Sequence, residues 1–273
     1  MLVIIGLIIG GILVGRDLIR SSQLNTIVSD KEKYVTAVYT FRDKYGELPG
    51  DMKTATKMWG VAGGSASDNY TTSCYAGMNN YSPGVTITCN GDGDQNIGCA
   101  GTQLWQLPCG PEGFLVWQHL ADAKLISGAF VPTSSPNDPQ GHQMALESLA
   151  TNVPVSKVDS GAGWSIWYLC VPSSENMVFT GTGCSNKIFY GAASSSANFN
   201  WTDLAFYPTF TTAEAKRMDQ KVDDGKPGTG NVTTFTTNAP FGGSCATTAL
   251  SATANYDLTQ SGPQCSLIFN GKF

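Results

Sequence analysis

Residues 1–45, MLVIIGLIIGGILVGRDLIRSSQLNTIVSDKEKYVTAVYTFRDKY, decide the fold of this chain. The first fifteen residues are apolar or glycine, and an amphipathic pattern follows them with no helix-breaking residue between. Apolar residues then recur mostly at steps of three, four and seven, which is the spacing of one helix face. They are Leu24, Ile27, Val28, Tyr34, Val35, Val38, Phe41 and Tyr45. Gly46 and Pro49 provide the stop. The sequence therefore predicts one continuous helix, about 65–70 Å long.

The apolar run at 1–14 is shorter than the roughly 20 residues that span a bilayer. A cleaved secretory signal is the main alternative, because such signals also carry a short apolar region near the N-terminus. However, no basic residues precede the run, no small-x-small cleavage site follows it, and the helical pattern continues past its end. We therefore expect the run to remain part of the protein, with one end of the helix in lipid and the rest projecting from it.

Four glycines interrupt the apolar run at spacings that matter for helix packing. Gly6 and Gly10 form one small-xxx-small pair, and Gly11 and Gly15 form another. Such pairs let helices approach closely in an apolar setting. Glycine also lowers helix propensity by roughly 1 kcal/mol against alanine. The glycines therefore support two hypotheses: they fit neighbouring helices, or they make residues 6–15 the part of the helix that melts most easily.

Composition narrows the class of protein. Charged residues make up 14% of the 273 residues, against about 25% in typical soluble domains. The net charge of −5 argues against a broad nucleic-acid-binding surface, and we expect no specific nucleic-acid partner. Eight cysteines, all beyond the helix, lack the CxxC-like clusters of a metal site. An even number behind a membrane anchor predicts four disulfides in an oxidising compartment, with many pairings open. We expect sequential pairs: Cys74–Cys89, Cys99–Cys109, Cys170–Cys184 and Cys245–Cys265.

The remainder of the chain predicts an α+β head. Helices are expected at 52–60, 112–128, 143–150 and 211–225, the last with a capping box at Thr211 and Glu214. Strands rich in β-branched and aromatic residues are expected at 85–88, 164–171, 177–181, 187–192, 231–237 and 265–270. The spacing of the strands at 164–171, 177–181 and 187–192 favours an antiparallel meander, and the amphipathic half of the long helix would pack on the sheet. We divide the chain into an N-terminal helix, 1–50, and a globular head, 51–273.

Catalytic motifs are missing from the sequence. It contains no GxSxG nucleophile elbow, no P-loop and no dinucleotide fingerprint. Of the two histidines, His119 falls on a predicted helix beside Trp117, where packing is the expected role, and His142 falls in a polar loop. We therefore predict that the protein is not an enzyme.

One stretch could hold a metal. GDGDQNIG at 91–98 places Asp92, Asp94 and Asn96 at alternate positions, as calcium-binding loops do. The match is partial, because Ile97 stands where the turn glycine belongs and Gln103 where a glutamate belongs. The alternative is an ordinary Asp/Asn/Gly turn. We expect no cofactor, with calcium at Asp92, Asp94 and Asn96 as the open alternative.

The N-terminal stretch LVIIGLIIGGILVGRDLI resembles the first helix of type IV pilins and type II secretion pseudopilins. KYVTAVYTFRDKYGELPGD, EGFLVWQHLADAKLISG and MDQKVDDGKPGTGNV are similar to later parts of a subgroup of that family. Members also carry a basic leader, a prepilin peptidase site and a glutamate early in the mature helix, and none is visible here. The register suggests that roughly eight mature residues precede Met1, enough to bring the apolar run to spanning length.

The resemblance implies a pilin fold, in which the long helix packs on an antiparallel sheet. It implies a structural subunit whose partner is itself, as a helical homopolymer, with a prepilin peptidase and a pilus assembly platform acting on it. The subunit would lie in the bacterial inner membrane before assembly and in an extracellular filament afterwards, with the head in the periplasm or outside. The expected filament-core residues are Gly6, Gly10, Gly11, Gly15, Ile4, Ile5, Ile8, Ile9 and Leu13.

Two alternatives remain open at this point. A pseudopilin or minor pilin would use the same helix in a short piston or at a filament tip. A monomeric membrane-anchored binding protein would use the head as its working part, and would need neither the small-residue pairs nor self-association.

Overall fold

A computed structural model describes residues 2–60, 88–98, 112–130, 149–169, 184–192, 207–235, 243–248, 253–271 and 273. The chain begins with α1, a single helix at Leu2–Tyr45 of 44 residues. It ends where the sequence predicts: Gly46 adopts a φ of 76°, and its N–H donates to the carbonyl of Arg42 at 2.8 Å. A positive φ at this position is accessible to glycine at little cost. The prediction of one continuous helix is confirmed.

The C-terminal half of α1 is built into the head. The predicted apolar stripe is buried at Leu24, Ile27, Tyr34, Val38 and Phe41, and half-buried at Val28, Val35 and Tyr45. The Tyr34 ring makes edge contacts with Trp117 and Trp164, at centroid distances of 5.0 and 5.4 Å. One apolar core therefore joins the helix to the rest of the protein, and this is the packing that the amphipathic spacing predicts.

The sheet has four strands, β1 at Ala162–Leu169, β2 at Ser185–Ala192, β3 at Val232–Thr233 and β4 at Leu267–Asn270. Their order is β1-β2-β4-β3, and every pair is antiparallel. The chain is thus α+β, as predicted. Of the meander predicted for 164–171, 177–181 and 187–192, the structure describes β1 and β2, which pair directly and antiparallel, and β4 lies between β2 and β3. Since Leu267, Ile268 and Phe269 are fully buried, the last strand takes an interior position and the two-residue β3 takes the edge.

Three shorter helices complete the described elements: α2 at Ala55–Trp59, α3 at Glu112–Asp122 and α4 at Thr212–Val222. The predicted capping box of Thr211 and Glu214 is present at the start of α4. The helix expected at 112–128 ends at Asp122, because Lys124 adopts a φ of 60° and the chain turns there. The predicted elements at 85–88, 143–150 and 177–181 lie wholly or almost wholly outside the described residues.

The disulfide Cys245–Cys265 is present, as predicted, and closes a separation of 20 residues. Cys89 and Cys184 are also disulfide-bonded. The other four cysteines, Cys74, Cys99, Cys109 and Cys170, lie outside the described residues. The three remaining pairings therefore stay predictions, as does the boundary between 1–50 and 51–273.

Candidate functional site

The N-terminal half of α1 leaves the head and exposes apolar side chains on every side. Ten of the fourteen large apolar side chains that are exposed in the described part of the chain lie between Ile4 and Ile19. Each of the ten is between 54% and 72% exposed. They are Ile4, Ile5, Leu7, Ile8, Ile9, Ile12, Leu13, Val14, Leu18 and Ile19. Contiguous apolar surface on this scale typically marks a site of protein or membrane interaction.

The four glycines of this half lie in open space. A Cβ added at Gly6, Gly10, Gly11 or Gly15 would meet no atom within 4 Å. Nothing within the single chain therefore requires glycine at these positions. The members of each pair lie on the same side of the helix because residues four apart are stacked. Within the described residues, no helix meets the length and hydropathy needed to cross a membrane.

Charged residues mark the point where α1 enters the head. The Nε of Arg20 donates to Glu214 Oε1 at 2.5 Å. Burial raises the pKa of Glu214, but its hydrogen bonds with Arg20 and Thr211 outweigh burial and leave that pKa below the ordinary value. Further along α1, the Nζ of Lys157 pairs with Asp30. The head thus holds α1 by ion pairs as well as by its apolar stripe.

The predicted calcium stretch forms a loop at residues 91–98, called the acidic loop here. Two buried carboxylates outside the loop hold it through backbone N–H groups. Asp51 accepts from Gly93 at 2.5 Å, Asp94 at 3.0 Å and Gln95 at 2.9 Å. Glu112, at the start of α3, accepts from Asp92 at 3.0 Å and from Gly98 at 2.8 Å. The two carboxylates therefore fasten the loop to the end of α1 and to α3.

The structure brings together only part of the predicted calcium set. Oxygens of Asp51, Asp92 and Glu112 lie within 4.8 Å of one another. Asp94 is not in that group: Asp92 Oδ1 accepts from the Asp94 N–H, and Asp94 Oδ1 accepts from the Asn96 N–H. These are local side-chain-to-backbone turns of the kind that Asp favours. The calcium site stays a prediction.

Burial raises the pKa of both carboxylates that hold the acidic loop. It raises the pKa of Asp51 to about 6 and that of Glu112 to about 8, against the hydrogen bonds from loop amides, which lower them. Sequence reasoning missed both residues. Glu112 was visible only as an acid in the first turn of a predicted helix, and Asp51 only as part of a turn. Their convergence on the acidic loop depends on tertiary contacts that local spacing does not encode.

A second carboxylate cluster, also missed, lies at the C-terminal end of α4. Asp219, Asp223 and Asp224 offer oxygens within 4.8 Å of one another. Asp219 Oδ2 accepts from the Tyr256 hydroxyl at 2.8 Å, and Asp223 Oδ2 from the Val232 N–H at 2.9 Å. Burial raises the pKa of Asp219 to about 7. These contacts tie the end of α4 to β3 and to the segment around Tyr256.

His119 has the packing role that the sequence predicts. It is fully buried, with its ring stacked on Phe41 at a centroid distance of 6.2 Å. The Gly50 N–H donates to Nδ1 at 2.9 Å, and Nε2 donates to the Cys89 carbonyl at 3.0 Å. Gly50 has a φ of 90°, and a Cβ there would lie 2.6 Å from the Glu112 carbonyl oxygen. Burial lowers the pKa of His119 to about 4, so the ring is neutral near pH 7. His142 lies outside the described residues.

Comparison of the chain with protein-family models, with curated proteins and with solved structures finds no match.

Proposed function

We propose that this protein is the structural subunit of a type IV pilus-like extracellular filament. In this proposal the chain has a pilin fold, its α1 helices pack together in the filament core, and its heads face outward. The observation that carries the proposal is the division of one helix into two halves. The half up to Ile19 exposes apolar side chains on all sides, and the half from Leu24 onward buries its apolar stripe in the head while its polar side stays exposed.

The energetics favour a partner on several sides of the helix. Fully burying an isoleucine or leucine side chain contributes about 1.5–3 kcal/mol. Ten side chains that are each more than half exposed would contribute on the order of 10 kcal/mol when covered. Association costs about 4–15 kcal/mol in lost freedom and ordering. A neighbour on one side alone would therefore contribute too little, whereas a core in which each helix has several neighbours covers the whole surface.

The glycines support other helices, rather than lipid alone, as the covering. Gly6 with Gly10 and Gly11 with Gly15 provide two adjacent strips where a neighbouring backbone can approach closely, and such approach is how helices associate in apolar surroundings. Contact with lipid chains does not require such strips, because lipid chains adapt to the helix surface. Where such contacts between identical subunits are heterologous, as the proposed filament requires, they produce open helical assemblies when the rotation does not close.

The supporting machinery follows from the resemblance. A prepilin peptidase would process the chain, the inner membrane would hold α1 before assembly, and an assembly platform would transfer it into the filament. In a pseudopilin or minor pilin the same contacts would form a short piston or a tip, so that function is the alternative within the family. A monomeric membrane-anchored binding protein is the alternative of another class.

The composition of surface fibres tests the proposal. Fibres sheared from producing cells should consist mainly of this chain by mass spectrometry, and should be absent from cells that lack it. Fibres in which the chain is a trace component would favour the minor-pilin alternative. A chain that stays in the membrane as a monomer, with unchanged fibres in cells lacking it, would refute the filament proposal.

A further inference from the structure

An oppositely charged pair interrupts the exposed apolar half of α1. Arg16 and Asp17 are both exposed, with Val14 before them and Leu18 and Ile19 after them, all more than half exposed. Among the described residues, no side-chain hydrogen bond or ion pair engages Arg16 or Asp17. The next charge along the helix behaves differently, because Arg20 is held by Glu214 of the same subunit.

Any packing that covers this half of α1 also covers the two charges, since apolar residues flank them on both sides. An unpaired buried charge is strongly destabilising, whereas a well-placed opposite charge removes most of that cost. Consecutive residues of an α-helix project about 100° apart. Arg16 and Asp17 therefore face two different neighbours. In an open head-to-tail assembly, the side of one copy that carries Arg16 can meet the side of the next copy that carries Asp17.

We propose that Arg16 of one copy pairs with Asp17 of the next copy, and that this ion pair sets the axial register of the packed helices. The inference rests on the proposed function and names the contact that would align neighbouring helices in the filament. A second copy is the partner because the pair is self-complementary: each chain carries both charges in the same apolar setting. Lipid headgroups would engage the two charges separately and would set no register between copies. Single polar positions in otherwise apolar helix seams act in this way, selecting one register at some cost in stability.

Charge reversal in the full chain, expressed in producing cells, tests the pair. R16D places two carboxylates at the contact, D17R places two guanidinium groups there, and R16D/D17R restores opposite charges. The measurement is the ratio of chain in sheared fibres to chain in membranes. Membrane levels and the oxidised Cys245–Cys265 bond report that the head has folded. The matched controls are K33E and E32K, which make the same changes in charge at exposed positions further along α1.

Each single reversal should lower the fibre-to-membrane ratio by about a hundredfold or more, because it leaves like charges buried together. The double reversal should recover most of the wild-type ratio, and both controls should match the wild type. If the wild type forms fibres and R16D or D17R has the wild-type fibre-to-membrane ratio, the inference is overturned and the proposed function stands. A double variant as defective as the single ones, or controls as defective as R16D, would also overturn it. A wild-type chain that forms no fibres would refute the proposed function, and the inference with it.

Discussion

In the proposed filament, replacing Gly10 and Gly11 by valine should leave the protein folded and strongly weaken its assembly. In the isolated subunit a Cβ at either position meets nothing within 4 Å, so the added side chains create no clash. Valine also has a higher helix propensity than glycine, by roughly half a kcal/mol per position. The variant G10V/G11V should therefore match the wild type in the thermal unfolding of the head and in helix content.

Assembly, in contrast to folding, should be weakened by the two substitutions. Overpacking a close contact costs about 1–3 kcal/mol per inserted side chain. Two insertions per subunit would thus weaken assembly by about 2–6 kcal/mol. Since about 1.4 kcal/mol is a factor of ten, the concentration needed for fibres should rise at least about thirtyfold. Electron microscopy and quantification of sheared fibres measure this directly.

The matched control places the same side chains on α1 beyond the exposed apolar run. Ser22 and Ser29 are exposed on the described surface, and S22V/S29V should assemble as the wild type does. Fibres of G10V/G11V at the wild-type yield would refute close helix packing at the glycines. A loss of fibres that S22V/S29V shares would show that valine on α1, rather than its position, is responsible.

Three further predictions concern the head. Burial lowers the pKa of His119 to about 4, against about 6.5 in the unfolded state. Between these two pH values the unfolded state binds a proton that the folded state does not. The free energy of unfolding should therefore fall by about 3 kcal/mol as the pH drops from about 6.5 to about 4. The wild type should therefore lose that much more stability than H119N across this window in urea unfolding; the buried carboxylates, whose raised pKa values act with the opposite sign, are common to both, and equal losses would contradict the assignment. C245A/C265A should lower stability by about 3 kcal/mol through the freed loop, and a thermal midpoint that does not fall would show that packing alone holds this region. A chelator should leave the melting temperature unchanged, because backbone amides already occupy carboxylate oxygens of the acidic loop; a decrease that added Ca²⁺ reverses would instead establish a calcium site there.

The parts of the fold that the sequence predicts correctly depend on short-range spacing. The length of α1, the buried stripe from Leu24 to Phe41 and the stop at Gly46 follow from helix period and backbone conformation. The capping box at Thr211 follows from a three-residue spacing. The exposed half of α1 is equally predictable, since residues that are apolar on every side cannot all face one core.

The missed features depend on contacts between distant segments. Asp51 and Glu112 meet the acidic loop although more than 60 residues separate them in the chain, and no local pattern marks the pair. The interior position of β4 is of the same kind, because it depends on which strands the chain returns to after long connections.

Residues 1–45 alone predict one long helix, apolar on all sides in its first half and amphipathic in its second, because the apolar residues of one helix face recur in steps of three and four. Contacts between distant segments add what local spacing does not give: Arg20 is held by Glu214 while Arg16 and Asp17 have no partner among the described residues, and buried carboxylates fasten the acidic loop. Burial and ion pairing each require two segments to meet in space. The spacing of residues within one segment does not say which other segment it will meet.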